Sequence, residues 1–365
     1  MFFKDIIGQD DVKRRLIESV KNGHIAHAQL FEGNDGAGAL PLALAYARYI
    51  QCTHRGEDDA CGECPSCRQM TALMHPDVHF VFPIANKKQK KEPVCDDYIA
   101  EWRNYVGETP YPSAESWQQF LATGNSQPLI YVHEAREIIR KLSLKSFESE
   151  YKIMIIWLPE LMNPVCANKL LKILEEPYEK TVFLLVSNQP DKILGTILSR
   201  SQRINMRVVS PEKISEALQR RYSLGQQDAD AVAHIANGNF IKALETIQLS
   251  EENQYFFDLF VRLMRLKVWS EEAADMGREK EKRFLAYTQR MLRENYIYNL
   301  HIPEISYLNS REEQFSTRFA PFIHERNIIS LMNELSKAES DISQNANGKI
   351  VFFDLAIKMI MLLKS

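Results

Sequence analysis

A chain of 365 residues with 45% hydrophobic and 25% charged side chains holds enough apolar material for two or three cores. Its formal net charge of -3 excludes a broad basic surface that would grip nucleic acid unaided, and no apolar run reaches the roughly 18 residues of a membrane span. Met1-Phe2-Phe3-Lys4-Asp5 lacks the basic and apolar regions of a secretory signal, so a cytoplasmic chain is expected. In a reducing compartment, the crowding of Cys52, Cys61, Cys64 and Cys67 points to metal and not to disulfides.

Helical periodicity opens at Asp11 to Asn22, where Val12, Leu16, Ile17 and Val20 share a face and Gly23 ends the pattern. A strand at Ala28 to Glu32 runs into Gly33-Asn34-Asp35-Gly36-Ala37-Gly38-Ala39-Leu40 and a helix from Leu40 to Ile50. Strand, glycine loop and helix in this order make a phosphate cradle, but a working cradle follows its last glycine with Lys for the phosphates and Ser or Thr for magnesium. Ala39 and Leu40 can do neither. Gly33, Gly36, Gly38, Ala39 and Leu40 therefore read as a vestigial phosphate loop, and no ATP hydrolysis is expected.

The four cysteines follow, with two tight two-residue spacings at Cys61, Cys64 and Cys67, the pattern of a closed tetrahedral zinc site. With every position taken by protein, the zinc would be structural and would pin a module over about residues 51–70 that is too small to hold its own core. His54 and His75 would serve only if a cysteine defaulted. After a strand at Val78 to Phe82 comes a second insertion, about 84–129, with Lys87, Lys88, Lys90 and Lys91 and then Trp102, Tyr105, Tyr111 and Trp117. The lysines read as a solvated loop. The role of this insertion is not legible from its residues.

Helices at His133 to Leu144 and Pro164 to Leu174, and strands at Ile153 to Trp157, Thr181 to Val186 and Arg203 to Val208, complete an alternation that implies a mostly parallel five-stranded sheet covered by helices. After the strand Ile153-Met154-Ile155-Ile156 a hydrolytic enzyme needs an acidic pair to hold magnesium and orient water. Trp157-Leu158-Pro159-Glu160 offers only Glu160, too far along, and Glu160 reads as a surface residue. Cys166 reads as a buried thiol. From Ser210-Pro211, a good N-cap and first-turn pair, helical periodicity takes over. The last helix, Ile350 to Leu363, is nearly all apolar and so packs on other helices or on a partner.

Leu170-Leu171-Lys172-Ile173-Leu174-Glu175-Glu176-Pro177, Leu185-Val186-Ser187-Asn188-Gln189-Pro190 and Ser199-Arg200-Ser201 closely resemble bacterial clamp-loader subunits of the AAA+ class. So do Ile7-Gly8-Gln9, His27-Ala28-Gln29-Leu30-Phe31 and the cysteine module; beyond the first two thirds of the chain only helical character is shared. The resemblance implies a P-loop-like α/β AAA+ domain over 1–208, an α-helical lid over 209–249 and an α-helical collar for oligomerisation over 250–365. It implies that Arg200 is an arginine finger given in trans to ATP on a neighbouring subunit. The implied partners are gamma/tau-type ATPase subunits and delta in a hetero-oligomeric ring, with the sliding clamp and primer-template DNA reached through the complex and no membrane.

Tyr178 and Ser201 stand where Pro and Cys are expected, and Ser201 leaves the guanidinium chemistry intact. Asn188 occupies the position that orients water in active relatives, but Ile241 replaces a nucleotide-sensing Arg, which leaves Asn188 as a turn-former before Pro190. Lys172, on the helix leading to Glu175-Glu176, faces either DNA in the assembled ring or water, and water is the preferred reading. One rival expectation is an ATP-binding gamma/tau-type subunit, opposed by Ala39, Leu40 and Trp157. The other is a zinc-containing nucleic-acid-binding module, opposed by Glu57, Asp58, Asp59 and Glu63 around the cysteines.

Overall fold

The computed structural model describes all residues except 87–89, 122–126, 263–271, 274, 301–307, 309, 345 and 365. Lys87 and Lys88 of the lysine run lie outside the described residues. The chain divides into two compact units, Met1–Thr246 and Ile247–Ser365.

The first unit is built on five parallel strands, β1 (Ala28–Glu32), β2 (Val78–Val81), β3 (Lys152–Trp157), β4 (Thr181–Ser187) and β5 (Gln202–Asn205), in the spatial order β2-β3-β4-β1-β5. Every residue of β1, β3 and β4 is buried, because helices cover both faces of the central strands; hence their near-continuous apolar sequences. The helices are α1 (Asp10–Lys21), α2 (Ala39–Gln51), α3 (Pro65–Thr71), α4 (Ile99–Glu108), α5 (Ala114–Phe120), α6 (Glu134–Ser143), α7 (Pro164–Glu175), α8 (Gly195–Leu198), α9 (Pro211–Tyr222), α10 (Gln226–Ala236) and the start of α11 (Phe240–Val261). This is the mostly parallel five-stranded α/β sheet expected of the AAA+ class.

Local chemistry sets the helix starts. Asn163 accepts from the Val165 N–H with Pro164 in the first turn, and Ser210 accepts from the Lys213 N–H with Pro211 behind it. The strand expected at Arg203 to Val208 is shorter and ends at Asn205. Among the described residues β5 is an edge strand that pairs only with Gln29–Glu32 of β1, and beyond it the Gln9 amide captures the chain, accepting from the Arg207 N–H at 3.1 Å and donating to the Arg207 carbonyl at 2.6 Å.

The second insertion folds into the core of the first unit. Ile84 and Leu129 exchange both backbone hydrogen bonds, at 2.9 and 3.0 Å, and so close its base. Trp102 stacks on Phe82 at 4.4 Å, Trp117 meets Trp102 edge-on at 5.4 Å, and the Trp117 indole N–H donates to the Pro83 carbonyl at 2.7 Å. Such aromatic pairs add about 0.5–1.5 kcal/mol each beyond the area they bury.

The second unit is helical: the end of α11, then Arg278–Asn299, Ser310–Phe319, Glu325–Ser343 and Gly348–Lys364. Its core gathers Phe256, Phe260, Phe284, Met291, Leu335, Phe352 and Met359. Among the described residues no helix is long and apolar enough to cross a membrane.

Candidate functional site

β1 delivers the glycine loop to the crevice at the carboxyl ends of the strands, where open α/β sheets bind ligands. Gly36 and Gly38 have φ of +79° and +87°, left-handed values open to glycine without cost. The loop packs closely against its own chain at Gly36. A Cβ added at Gly36 would lie 2.1 Å from Asn239 Oδ1 and 2.7 Å from the Phe240 nitrogen, and the Phe240 N–H donates to the Gly36 carbonyl at 3.4 Å. Tyr111 lies against Gly38, 3.1 Å from the position of such a Cβ. Its hydroxyl accepts from the Ile7 N–H at 2.9 Å, and its ring sits 4.9 Å from that of Phe240. Burial pushes the Tyr111 phenol up to about 12, so it stays a neutral plug.

Ala39 and Leu40, where Lys and Ser or Thr would grip phosphate and magnesium, are 6% and 2% exposed and belong to the core. β3 ends at Trp157, next to where a magnesium-binding acid is expected of a hydrolytic enzyme. Trp157 is buried, with its ring 5.1 Å from Trp102, so the second insertion covers this position as well. The next residue, Leu158, has a φ of +57°, a left-handed conformation that an apolar residue rarely adopts.

Glu160 is not the surface residue expected. It is half-buried, and its Oε1 accepts the backbone N–H groups of Asn188 and Gln189 at 3.1 and 3.2 Å, tying the end of β3 to the end of β4. Asn188 does more than form a turn: its side-chain amide donates to the Asp35 carboxylate of the glycine loop. Burial raises the Asp35 pKa, Glu115 adds to that, and Asn188 opposes it. A carboxylate in this place repels the phosphates that a working loop attracts. Glu32, Asp35, Asn188, Asp191, Arg203 and Asn239 border a cleft of about 950 Å³ at the strand ends. Its Arg203 is already engaged by Glu32 at 2.9 Å.

Arg200 follows α8. Its Nε and Nη2 donate to Glu175 Oε2 at 3.2 and 2.9 Å, and Nη1 donates to the Thr196 carbonyl at 3.0 Å. Ser201, in the place of the expected Cys, donates to the Ile197 carbonyl at 2.9 Å and holds the turn. Lys172 is exposed on α7.

Cys52 ends α2, Cys61 and Cys64 lie on the following loop, and Cys67 is in α3. All four sulfurs lie within 4.8 Å of one another, with 3.6 Å between Cys52 and Cys61 and 3.9 Å between Cys61 and Cys67. A tetrahedron with Zn–S bonds of about 2.3 Å has edges of about 3.8 Å, so the donor set and its spacing fit zinc. Cys52, Cys64 and Cys67 are buried and Cys61 is exposed. His75 is engaged elsewhere, its Nδ1 accepting from the Asp77 N–H and its Nε2 facing the Ser149 hydroxyl, and His54 pairs with Thr53. Cys166 is buried as expected.

A family model described as DNA polymerase III, delta subunit, matches residues 8–210, more than half of the chain. The chain belongs to this family. Among its relatives, the DNA polymerase III subunit delta' of Bacillus subtilis is 26% identical over 68% of this chain and 60% of its own length. Subunit delta' of Yersinia pestis is 31% identical over 51% of this chain and 43% of its own, and subunit tau of Bacillus subtilis is 25% identical over 67% and 37%. The match thus spans less than two thirds of the length of these relatives. Of solved structures, the Bacillus subtilis clamp loader delta protein is 11% identical, with a TM-score of 0.38 over 97% of this chain and 100% of that one.

The sequence alone did not point to Tyr111, Asn239 or Phe240 as parts of the loop site. Tyr111 stood out only as one aromatic of the second insertion.

Proposed function

We propose that this chain is a delta'-type subunit of a bacterial DNA polymerase III clamp loader that neither binds nor hydrolyses ATP productively, and serves its ring as a scaffold and arginine donor. The observation that carries this reading is the glycine loop closed by Asn239, Phe240 and Tyr111, with Ala39 and Leu40 buried where the phosphate and magnesium ligands would stand. An ATP-binding gamma/tau-type subunit would need Lys and Ser or Thr at those two positions.

Arg200 is the arginine finger of this reading. A planar, permanently charged fork suits the charge of a transferring phosphoryl group, and arginine fingers accelerate related reactions by about 10³-fold or more. Its tie to Glu175 is a solvent-accessible ion pair worth about 0–1 kcal/mol, weak enough to yield to a neighbour's phosphate. The lid is residues 209–249 and the collar residues 250–365. On Gly348–Lys364 the exposed Ile350, Phe353, Ile357 and Met361 recur at helical spacing as an apolar stripe suited to a neighbouring collar helix. The ring would contain gamma/tau ATPases and delta and load the sliding clamp onto primed DNA. A structural zinc on Cys52, Cys61, Cys64 and Cys67 would hold the module that follows α2.

The test is clamp- and DNA-stimulated ATP turnover by the complex reconstituted with its cognate subunits, with Arg200→Ala compared with the native chain and assembly checked by size. The expected result is loss of the turnover contributed by the site that Arg200 faces, and none by the isolated chain. Unchanged turnover in an intact ring would overturn the finger.

A further inference from the structure

Arg48, on α2 one turn before Cys52, is 1% exposed. Its Nη2 donates to Thr71 Oγ1 at 2.9 Å, and Thr71 in turn donates to the Cys67 carbonyl at 2.9 Å. Its Nε and Nη1 are buried and have no hydrogen-bond partner among the described residues. The guanidinium lies 4.2 Å from the centre of the Phe2 ring, and the same ring reaches to 3.1 Å from the Cβ position of Gly62, between Cys61 and Cys64. The side chain is thus packed among the segments that carry the cysteines: α2, the Cys61–Cys64 loop and α3.

A buried cation without a full set of hydrogen bonds is costly unless an opposite charge lies nearby. The nearest carboxylates, Asp5 and Asp59, attract Arg48, but among the described residues neither hydrogen-bonds it. Asp5 accepts the Phe2 N–H, and Asp59 accepts those of Phe3, Lys4 and Ala60. Of the other basic side chains of the module, Arg55 is exposed and donates to the last carbonyls of α2, and Arg68 is exposed. A divalent zinc on four thiolates carries a net charge of about -2. It would sit at the carboxyl end of α2, where the helix dipole is also negative, and the Cys61, Cys64 and Cys67 N–H groups, which donate to the sulfurs of Cys52, Cys61 and Cys64 at 3.4 Å, offset only part of that charge.

We propose that Arg48 is the buried counter-cation of the metal tetrathiolate: it offsets the charge of the loaded centre, and with no metal it is a buried cation lacking its partner. This rests on the zinc reading above. It has a consequence that a merely structural arginine lacks, because removal of the charge acts with opposite sign on the two forms. The loaded form is weakened; the metal-free form is not.

The experiment uses the full chain and its Arg48→Met and Arg48→Lys variants, Met keeping the apolar stem against Phe2 and Lys keeping the charge. Zinc content and Zn²⁺ affinity are measured by competition with a chromophoric chelator, and urea unfolding is followed with and without metal. The native chain is expected to hold one Zn²⁺. Arg48→Met is expected to bind it about 10- to 100-fold more weakly, as for other residues that support metal ligands from outside the coordination sphere, while its metal-free form unfolds at no lower urea concentration than the native metal-free chain. Arg48→Lys should retain most of the affinity. Should Arg48→Met fail to fold, Arg48→Gln supplies the neutral side chain. Equal Zn²⁺ affinity in the native and neutral chains, or an equal loss in Lys and in the neutral variant, would overturn the counter-cation role. A native chain that takes up no Zn²⁺ would instead sink the metal reading itself.

Discussion

Putting back the two missing grip residues, as Ala39→Lys with Leu40→Thr, separates two explanations of the silent phosphate loop. If only side chains are lacking, the double variant regains nucleotide. If the loop is closed by its own chain, it does not, and it loses stability as well. Leu40 is 2% exposed, so exchanging its isobutyl group for a hydroxyethyl group gives up about 2 kcal/mol of apolar burial. Ala39 is 6% exposed, and an ammonium brought there costs several kcal/mol more unless the helix start opens. At roughly 2–4 °C per kcal/mol for a domain of this size, the unfolding midpoint of the first unit should fall by about 5 °C or more. Thermal unfolding with and without ATP and magnesium, together with titration of a fluorescent ATP analogue, makes the measurement. The expected result is a lowered midpoint and a dissociation constant no tighter than about 1 mM, some 4 kcal/mol of binding. Micromolar binding with an unchanged midpoint would refute the reasoning, because Asn239, Phe240 and Tyr111 would then present no obstacle.

Trp102→Ala removes the ring that joins the second insertion to Phe82 and Trp157 and should cost about 3–5 kcal/mol in urea unfolding; a loss under about 1 kcal/mol would mean that the insertion folds apart from the sheet. Glu134 is buried, its Oε2 accepts the Cys95 N–H at 2.7 Å, its Oε1 has no hydrogen-bond partner among the described residues, and burial raises its pKa above the ordinary 4.5. The folded state therefore holds this proton more tightly than the unfolded state. Its contribution to stability is full below pH 4.5 and is lost as pH rises through the higher folded value. Urea unfolding of Glu134→Gln across that range should accordingly fall less steeply with rising pH than the native chain, and identical slopes would remove Glu134 from the account. Phe353→Glu, on the exposed stripe of Gly348–Lys364, should leave helical circular dichroism unchanged yet prevent co-elution with the partner subunits; normal assembly would place the collar contact on another face.

Much of this molecule was legible in the residues because it is written locally. Alternating apolar runs and amphipathic stretches marked five parallel strands and their helices, since burial on both faces of a central strand leaves a continuous apolar run such as Ile153-Met154-Ile155-Ile156. The spacing of Cys52, Cys61, Cys64 and Cys67 anticipated four sulfurs drawn together, and Ala39 with Leu40 declared a loop without its phosphate and magnesium ligands. Short-range chemistry of this kind survives in one dimension.

What only the tertiary structure decided are the contacts between segments far apart in the chain. Tyr111 and the pair Asn239 and Phe240 meet at the glycine loop because the second insertion and the start of α11 are brought together there; no periodicity in either segment encodes that meeting. Glu160 looked like a surface acid because its partners, the Asn188 and Gln189 N–H groups, belong to the neighbouring strand. The expected last strand overran its end because nothing local announced that Gln9 would take up the backbone of Arg207. Arg48 sat inside a helical pattern as one more basic residue. Its burial beneath the cysteines follows from packing α2 against α3 and Phe2, and that packing makes its charge matter.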